Sequence, residues 1–268
     1  MMAMVRLSIR FYAELNDFLP PRRRQVEFEH VLAEHASVKH VIETLGVPHT
    51  EVDLVLVDGR SVDFAYRVRD GDRISVYPVF ESLDISSLER VRPRPLREPR
   101  FVLDVHLGRL AGYLRMVGFD ALYRNDYDDA TLADLSRSER RILLTRDRGL
   151  LKRSAVTHGY LLRASDPREQ LAEVVRRFDL TGLIAEFTRC MRCNGVLAPV
   201  AKATIEHRLL PKTRRYYDEF AVCRDCERIY WKGSHYEDMR KRLAGLAPGS
   251  LVAPHTGPGA LRDGPPEP

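Results

Sequence analysis

"RILLTRDRGLLKR", residues 141–153, decides how the middle of the chain folds. Ile142, Leu143 and Leu144 form a short apolar run of the kind a sheet interior accepts. Thr145, Arg146, Asp147 and Arg148 follow at once, and Gly149 breaks the pattern before a helical "LLKR". In an open α/β sheet the carboxyl end of a strand is where ligands bind, so Asp147 stands where chemistry is expected. An isolated Asp there serves equally well as a helix cap. The outcome turns on whether other acids reach the same edge.

The flanking sequence repeats the arrangement. "RFVLD" (100–104) reads as a strand ending in Asp104, and "LGRLAGYLRMVGF" (107–119) carries a helical apolar face. "DALYR" returns as a strand, and "DDATLADLSRSER" is a helix opened by Asp128 and Asp129. After the 141–153 segment, "GYLLRAS" is a strand, and Asp166 precedes the helix "PREQLAEVVRRF". Alternating strands and helices predict a parallel sheet flanked by helices. In a right-handed parallel arrangement the carboxyl ends of the strands share one edge.

Carboxylates gathered at one edge repel unless a cation neutralises them. Hard oxygen ligands with open positions suit Mg²⁺ or Mn²⁺, which lowers the pKa of bound water and polarises a phosphoryl oxygen. Arg109, Arg115, Arg146, Arg148 and Lys152 are the cations expected to meet a phosphate backbone. Taken singly, Asp128, Asp129 and Asp166 read equally as helix caps, and the arginines as a solvated face.

Four cysteines stand as Cys190-x2-Cys193 and Cys223-x2-Cys226, with 29 residues between the pairs. That spacing predicts a closed tetrahedral zinc ribbon, structural rather than catalytic, and four thiolates leave no vacancy for His207 or His235. Between and after the pairs, Tyr216, Tyr217, Tyr230 and Trp231 are interleaved with basic residues. Such faces suit single-stranded RNA, or equally the packing of a small ribbon core.

Ahead of these units, "VRLSIRF", "QVEFEHV", "DLVLVDGR", "FAYRV" and "DRISVYPVF" read as strands, with a helix "SVKHVIETLG" capped by Ser37 and stopped at Gly46. The order resembles a β-grasp, ubiquitin-like domain, and the "DGDRISVYP" segment resembles that of the small sulfur-carrier proteins. Those carriers act through a free Gly-Gly carboxylate, whereas here "FESLDISSLER" follows. A binding or tethering module, open to a protein partner, is the expectation.

The division is therefore 1–83 ubiquitin-like, 84–99 a basic proline-containing linker, 100–186 the parallel-sheet α/β domain, 187–246 the ribbon and 247–268 a Pro/Gly-rich disordered tail. The class is a multidomain chain of α/β and α+β units. Residues 1–90 hold 11 Lys/Arg against 15 Asp/Glu, residues 91–185 hold 18 against 13, and residues 186–268 hold 14 against 10. An acidic module is thus joined to a basic body suited to a polyanion. The stiff linker predicts that residues 100–245 fold alone. No apolar run approaches the roughly 18 residues of a membrane span, and the start lacks a signal-peptide layout, so a cytoplasmic protein is expected.

"FVLDVHLGRLAGYLRMVGFDALY", "DDATLADLSRSERRILLTRDRGLLKR", "DPREQL" and the paired cysteines together resemble the Mut-seven C-terminal ribonuclease family, whose domain has a PIN-like fold. The resemblance covers about residues 100–240 and extends to the fused ubiquitin-like domain. It implies a metal-dependent endoribonuclease, with Asp104, Asp129 and Asp147 in the acidic positions and Asp166 as a fourth. The adjacent Asp128 leaves the second position open. A non-catalytic RNA-binding adaptor and a sulfur-transfer accessory protein are the alternative readings.

Overall fold

A computed structural model describes residues 4–78, 91 and 99–243. Apart from Val91 and Pro99, the expected linker lies outside the described residues, as does the expected tail. The first unit runs β1 (Val5–Phe11), β2 (Phe28–Leu32), α1 (Val38–Thr44), β3 (Val52–Val57), β4 (Arg60–Ser61) and β5 (Arg73–Pro78). Its sheet has the order β2-β1-β5-β3-β4, with β1 and β5 parallel, which is a β-grasp. Alternation along β1 sends Val5, Leu7, Ile9 and Phe11 into the core. Ser37 caps α1 by accepting from the His40 N–H, and Gly46 ends it at φ +102°.

"FAYRV" does not add a strand. Its backbone is occupied elsewhere: the carbonyls of Tyr66 and Phe64 accept from the N–H groups of Val38 and Lys39, satisfying the open donors of α1. Arg67 makes only an isolated bridge to Ser37.

The second unit alternates β6 (Arg100–Leu103), α2 (Gly108–Met116), β7 (Asp120–Leu122), α3 (Asp129–Ser138), β8 (Ile142–Thr145), α4 (Arg148–Leu151), β9 (Gly159–Leu161) and α5 (Pro167–Arg177). All four strands are parallel, in the order β7-β6-β8-β9. One face, including Phe101, Leu103, Ile142 and Leu144, is buried with Leu110 and Leu114 of α2 and Val174 of α5. On the opposite face Val102, Leu143 and Leu161, with Leu132, Leu150, Leu151 and Val156, share one buried cluster with the ubiquitin-like core. The two units therefore do not stand as a module on a tether.

Polar contacts fasten the same junction. β9 is an edge strand, and its Leu161 N–H donates to a carboxylate oxygen of Glu51 at 2.6 Å. Glu51 is 0% exposed, so its carboxylate closes a sheet edge that water does not reach. The His49 ring meets the Val156 carbonyl at 2.8 Å and the Glu43 carboxylate at 2.7 Å. The expectation that residues 100–245 fold alone ignored a covering that the first unit supplies.

The third unit comprises β10 (Leu197–Val200), the short helices α6 (Lys202–Ile205) and α7 (Pro211–Tyr216), β11 (Phe220–Cys223), β12 (Ile229–Tyr230) and α8 (Ser234–Leu243). Its antiparallel sheet β10-β11-β12 carries the cysteines at its turns. Gly118 fixes the approach to it: at φ +97°, a Cβ there would meet the Ala185 carbonyl oxygen at 2.2 Å. Among the described residues, no helix is long and apolar enough to cross a membrane.

Candidate functional site

The four acids follow four parallel strands in turn. Asp104 follows β6, Asp129 opens the helix after β7, Asp147 follows β8 and Asp166 opens the helix after β9. Sheet order places them along the carboxyl edge as Asp129, Asp104, Asp147 and Asp166. Strands about 4.8 Å apart spread that row over about 14 Å, so the central pair is the focus.

Thr145 joins that pair. Its hydroxyl donates to Asp104 Oδ2 at 2.6 Å and accepts from the Asp147 N–H at 2.9 Å. The donor and acceptor capacities of the hydroxyl are both used, which orients the half-buried Asp104 from the neighbouring strand. Asp104 makes no capping bond. Asp147 caps α4 by accepting from the Gly149 N–H at 2.7 Å, and Asp166 caps α5 through the Arg168 and Glu169 N–H groups. Asp128 caps α3 through the Thr131 N–H, and the Thr131 hydroxyl and that N–H together lower its pKa, while Asp129 lies 3.4 Å from Arg153. Thr145 and Arg153 were both in the quoted 141–153 segment. The signal for Thr145 was a hydroxyl ending a buried strand two residues before an acid.

The expected phosphate-binding cations separate. Arg109 and Arg146 are exposed, with Arg146 donating to Ser165 Oγ at 3.4 Å. Arg148 is exposed with its guanidinium over the Phe18 ring of the ubiquitin-like unit, and Lys152 donates to the Glu43 carbonyl there. Arg115 corrects the sequence expectation. It is 4% exposed and donates to the carbonyls of Ala121, Met191 and Arg192, so it ties the cysteine unit to the sheet rather than meeting phosphate.

The thiols of Cys190, Cys193, Cys223 and Cys226 converge with all four sulfurs within 4.8 Å of one another. Cys190 and Cys226 lie 3.6 Å apart, and Cys193 and Cys223 3.4 Å. Tetrahedral zinc with Zn–S near 2.3 Å places its sulfurs about 3.8 Å apart, so the cage fits that ion. Burial raises the Cys190 pKa, yet the Tyr230 hydroxyl and the N–H groups of Cys193 and Arg192 hold it down to about 6. Burial and the neighbouring thiols push Cys193 up to about 12. The Cys190 thiolate is thus favoured while Cys193 and Cys226 are shifted towards the thiol, as expected of a cluster that a cation completes. Among the described residues, this is the one group of three or more such ligand side chains at that spacing. The acids share an edge without converging so closely, which suits an ion that keeps several waters and takes one or two carboxylates.

A family model described as the Mut7-C RNAse domain matches residues 99–243, more than half of the chain. The chain belongs to the Mut7-C RNAse domain family. A second model, described as Mut7-C ubiquitin, matches residues 4–84. The Mut7-C RNAse match spans both the parallel sheet and the cysteine unit, in agreement with the Arg115 tie that makes them one body. Membership speaks for a nuclease-like function. No curated protein matches the chain at a significant level.

Proposed function

We propose that the chain is a Mg²⁺- or Mn²⁺-dependent endoribonuclease with a PIN-like catalytic domain, braced by a structural zinc ribbon that also helps hold RNA. The observation that carries this reading is the Asp104–Thr145–Asp147 linkage at the carboxyl edge of a ribonuclease-family domain. Asp104 and Asp147 would hold the ion, with Asp129 and Asp166 flanking. Once bound, it would activate water for in-line attack on a phosphodiester, leaving a 3′-hydroxyl and a 5′-phosphate. Thr145 orients Asp104, and Arg109 and Arg146 offer exposed positive charge to the RNA backbone. The outer edge strand β2, flanked by exposed Val26 and carrying exposed Val31, is the part of the ubiquitin-like unit open to a protein partner.

The helix caps made by Asp128, Asp147 and Asp166 favour a second reading, a non-catalytic RNA-binding adaptor. Cleavage of total RNA by the full chain, with and without added Mg²⁺ or Mn²⁺, separates the two. Cleavage that needs the ion and is lost in Asp104→Asn supports the nuclease. Binding without cleavage under every ion condition supports the adaptor.

A further inference from the structure

Arg192, Arg208 and Arg228 line a concavity of about 590 Å³ beside the exposed Cys226, with Glu227 and Ile229 completing the wall. All three arginines are exposed. Arg208 is aimed by its bond to the Glu227 carbonyl at 2.7 Å. Among the described residues, no carboxylate lies within salt-bridge range of Arg192 or Arg228, so three guanidiniums line one hollow with a single acid, Glu227. Such clustering is unfavourable without an anion. The thiolates do not fully explain it, because the buried Arg115 already lies in the attractive field of Cys190 and Cys193.

The hollow's location is informative. The first cysteine knuckle docks through Asn194 on Asp120 and through Arg115 on Met191 and Arg192. Asp120 opens β7 opposite Arg100, the first residue of β6. This is the amino edge of the parallel sheet, whereas the acids lie at its carboxyl edge. Four residues of strand separate the two edges by about 13 Å.

We propose that Arg192, Arg208 and Arg228 form a second binding site for backbone phosphates of single-stranded RNA, remote from the acids. The preferred substrate is then a strand long enough to occupy both. This rests on the RNA reading above but not on cleavage.

The test measures binding of labelled single-stranded RNAs of about 3 and about 30 nucleotides to the full chain, without added divalent ion; at about 3.4 Å per nucleotide the shorter cannot bridge the two edges. In Arg192→Gln/Arg228→Gln, which spares the Arg208 bond, the longer RNA should bind about tenfold more weakly at low salt. Its logarithmic salt dependence should fall by about 1.4, from about 0.7 per lost phosphate contact on a single strand. The short RNA should change less than about twofold, with zinc content unchanged. Unchanged affinity for the longer RNA, with or without zinc loss, overturns the site. Equal losses at both lengths overturn its remoteness. Should the variant not fold, photo-crosslinks from the longer RNA to the wild-type chain decide: adducts at these arginines support the site, and adducts confined to residues 100–186 overturn it. RNA bound but never cut would sink the nuclease reading alone, whereas no RNA binding at all would sink both.

Discussion

Asn194 in the first cysteine knuckle donates its side-chain amide to Asp120 Oδ1 across 2.7 Å, while its own Oδ1 accepts from the Ala121 N–H at 3.0 Å. Asp120 also holds Arg141 at 2.6 Å, so one carboxylate serves the cysteine unit and the amino end of β8 together. Breaking a buried ion pair by removing one partner costs about 3 kcal/mol. Asp120→Ala is therefore expected to lower stability by about that amount, measured by denaturant unfolding, with Asn194→Ala costing about 1–2 kcal/mol.

The same carboxylate gives a pH dependence. Burial raises its pKa, but Arg141 and Asn194 reverse that and hold it below its ordinary 3.8. A group depressed in the folded state contributes stability above its unfolded pKa and loses it as pH falls through the folded value. The stability gap between wild type and Asp120→Asn should thus be constant above about pH 5 and shrink below about pH 4. A gap unchanged down to pH 2.5 would remove Asp120 from the clasp.

Thr145→Val keeps the side-chain shape and deletes the hydroxyl that links Asp104 to the Asp147 backbone. Partners that orient a metal ligand are typically worth 10–100-fold. Cleavage should fall by about that factor with RNA affinity unchanged, whereas Asp104→Asn should abolish cleavage. Wild-type turnover from a folded Thr145→Val would show that the linkage does not set the site.

Removing the ubiquitin-like unit should not liberate an active core. Residues 99–243 alone would expose the face around Leu143, Leu150, Leu151 and Val156 and leave the Leu161 N–H without Glu51. Aggregation, or dye binding typical of exposed apolar surface, is expected on light scattering and fluorescence. In the full chain, Glu51→Ala should cost about 1–3 kcal/mol through the orphaned donor. A monomeric, stable truncation would contradict this account of the junction.

Stripping zinc from the four thiolates should take up protons, as the freed sulfurs return to thiols, and disorder the cysteine sheet before the parallel sheet, because such sites contribute folding energy directly. Elemental analysis should find one zinc per chain, and hydrogen exchange after chelation should rise first in residues 187–230. Purified protein without stoichiometric zinc would count against the assignment.

Periodicity made much of this fold legible. "RILLTRD" announced a buried strand with an acid at its end, and Ser37 and Gly46 bounded a helix as their chemistry requires. The run Ile142-Leu143-Leu144 pointed to a covered sheet but could not say what covered it. The second cover is partly residues 5–76, more than sixty positions upstream, and no local pattern encodes such pairing. Arg115 misled for a related reason: an arginine at the end of an amphipathic helix looks solvated until the carbonyls of residues 191 and 192 arrive. "FAYRV" alternates like a strand, and only the position of α1 shows that its carbonyls are already engaged.

The bond between Glu51 and Leu161 spans 110 positions of sequence. At roughly 5–20 residues per second of synthesis, the acid emerges roughly 5–20 s before its partner does. For that interval the nascent ubiquitin-like unit holds Glu51 without the Leu161 N–H and its apolar face without the covering that residues 102–161 supply. Emergence of β9, rather than the folding of the first eighty residues, then becomes the step that locks the junction.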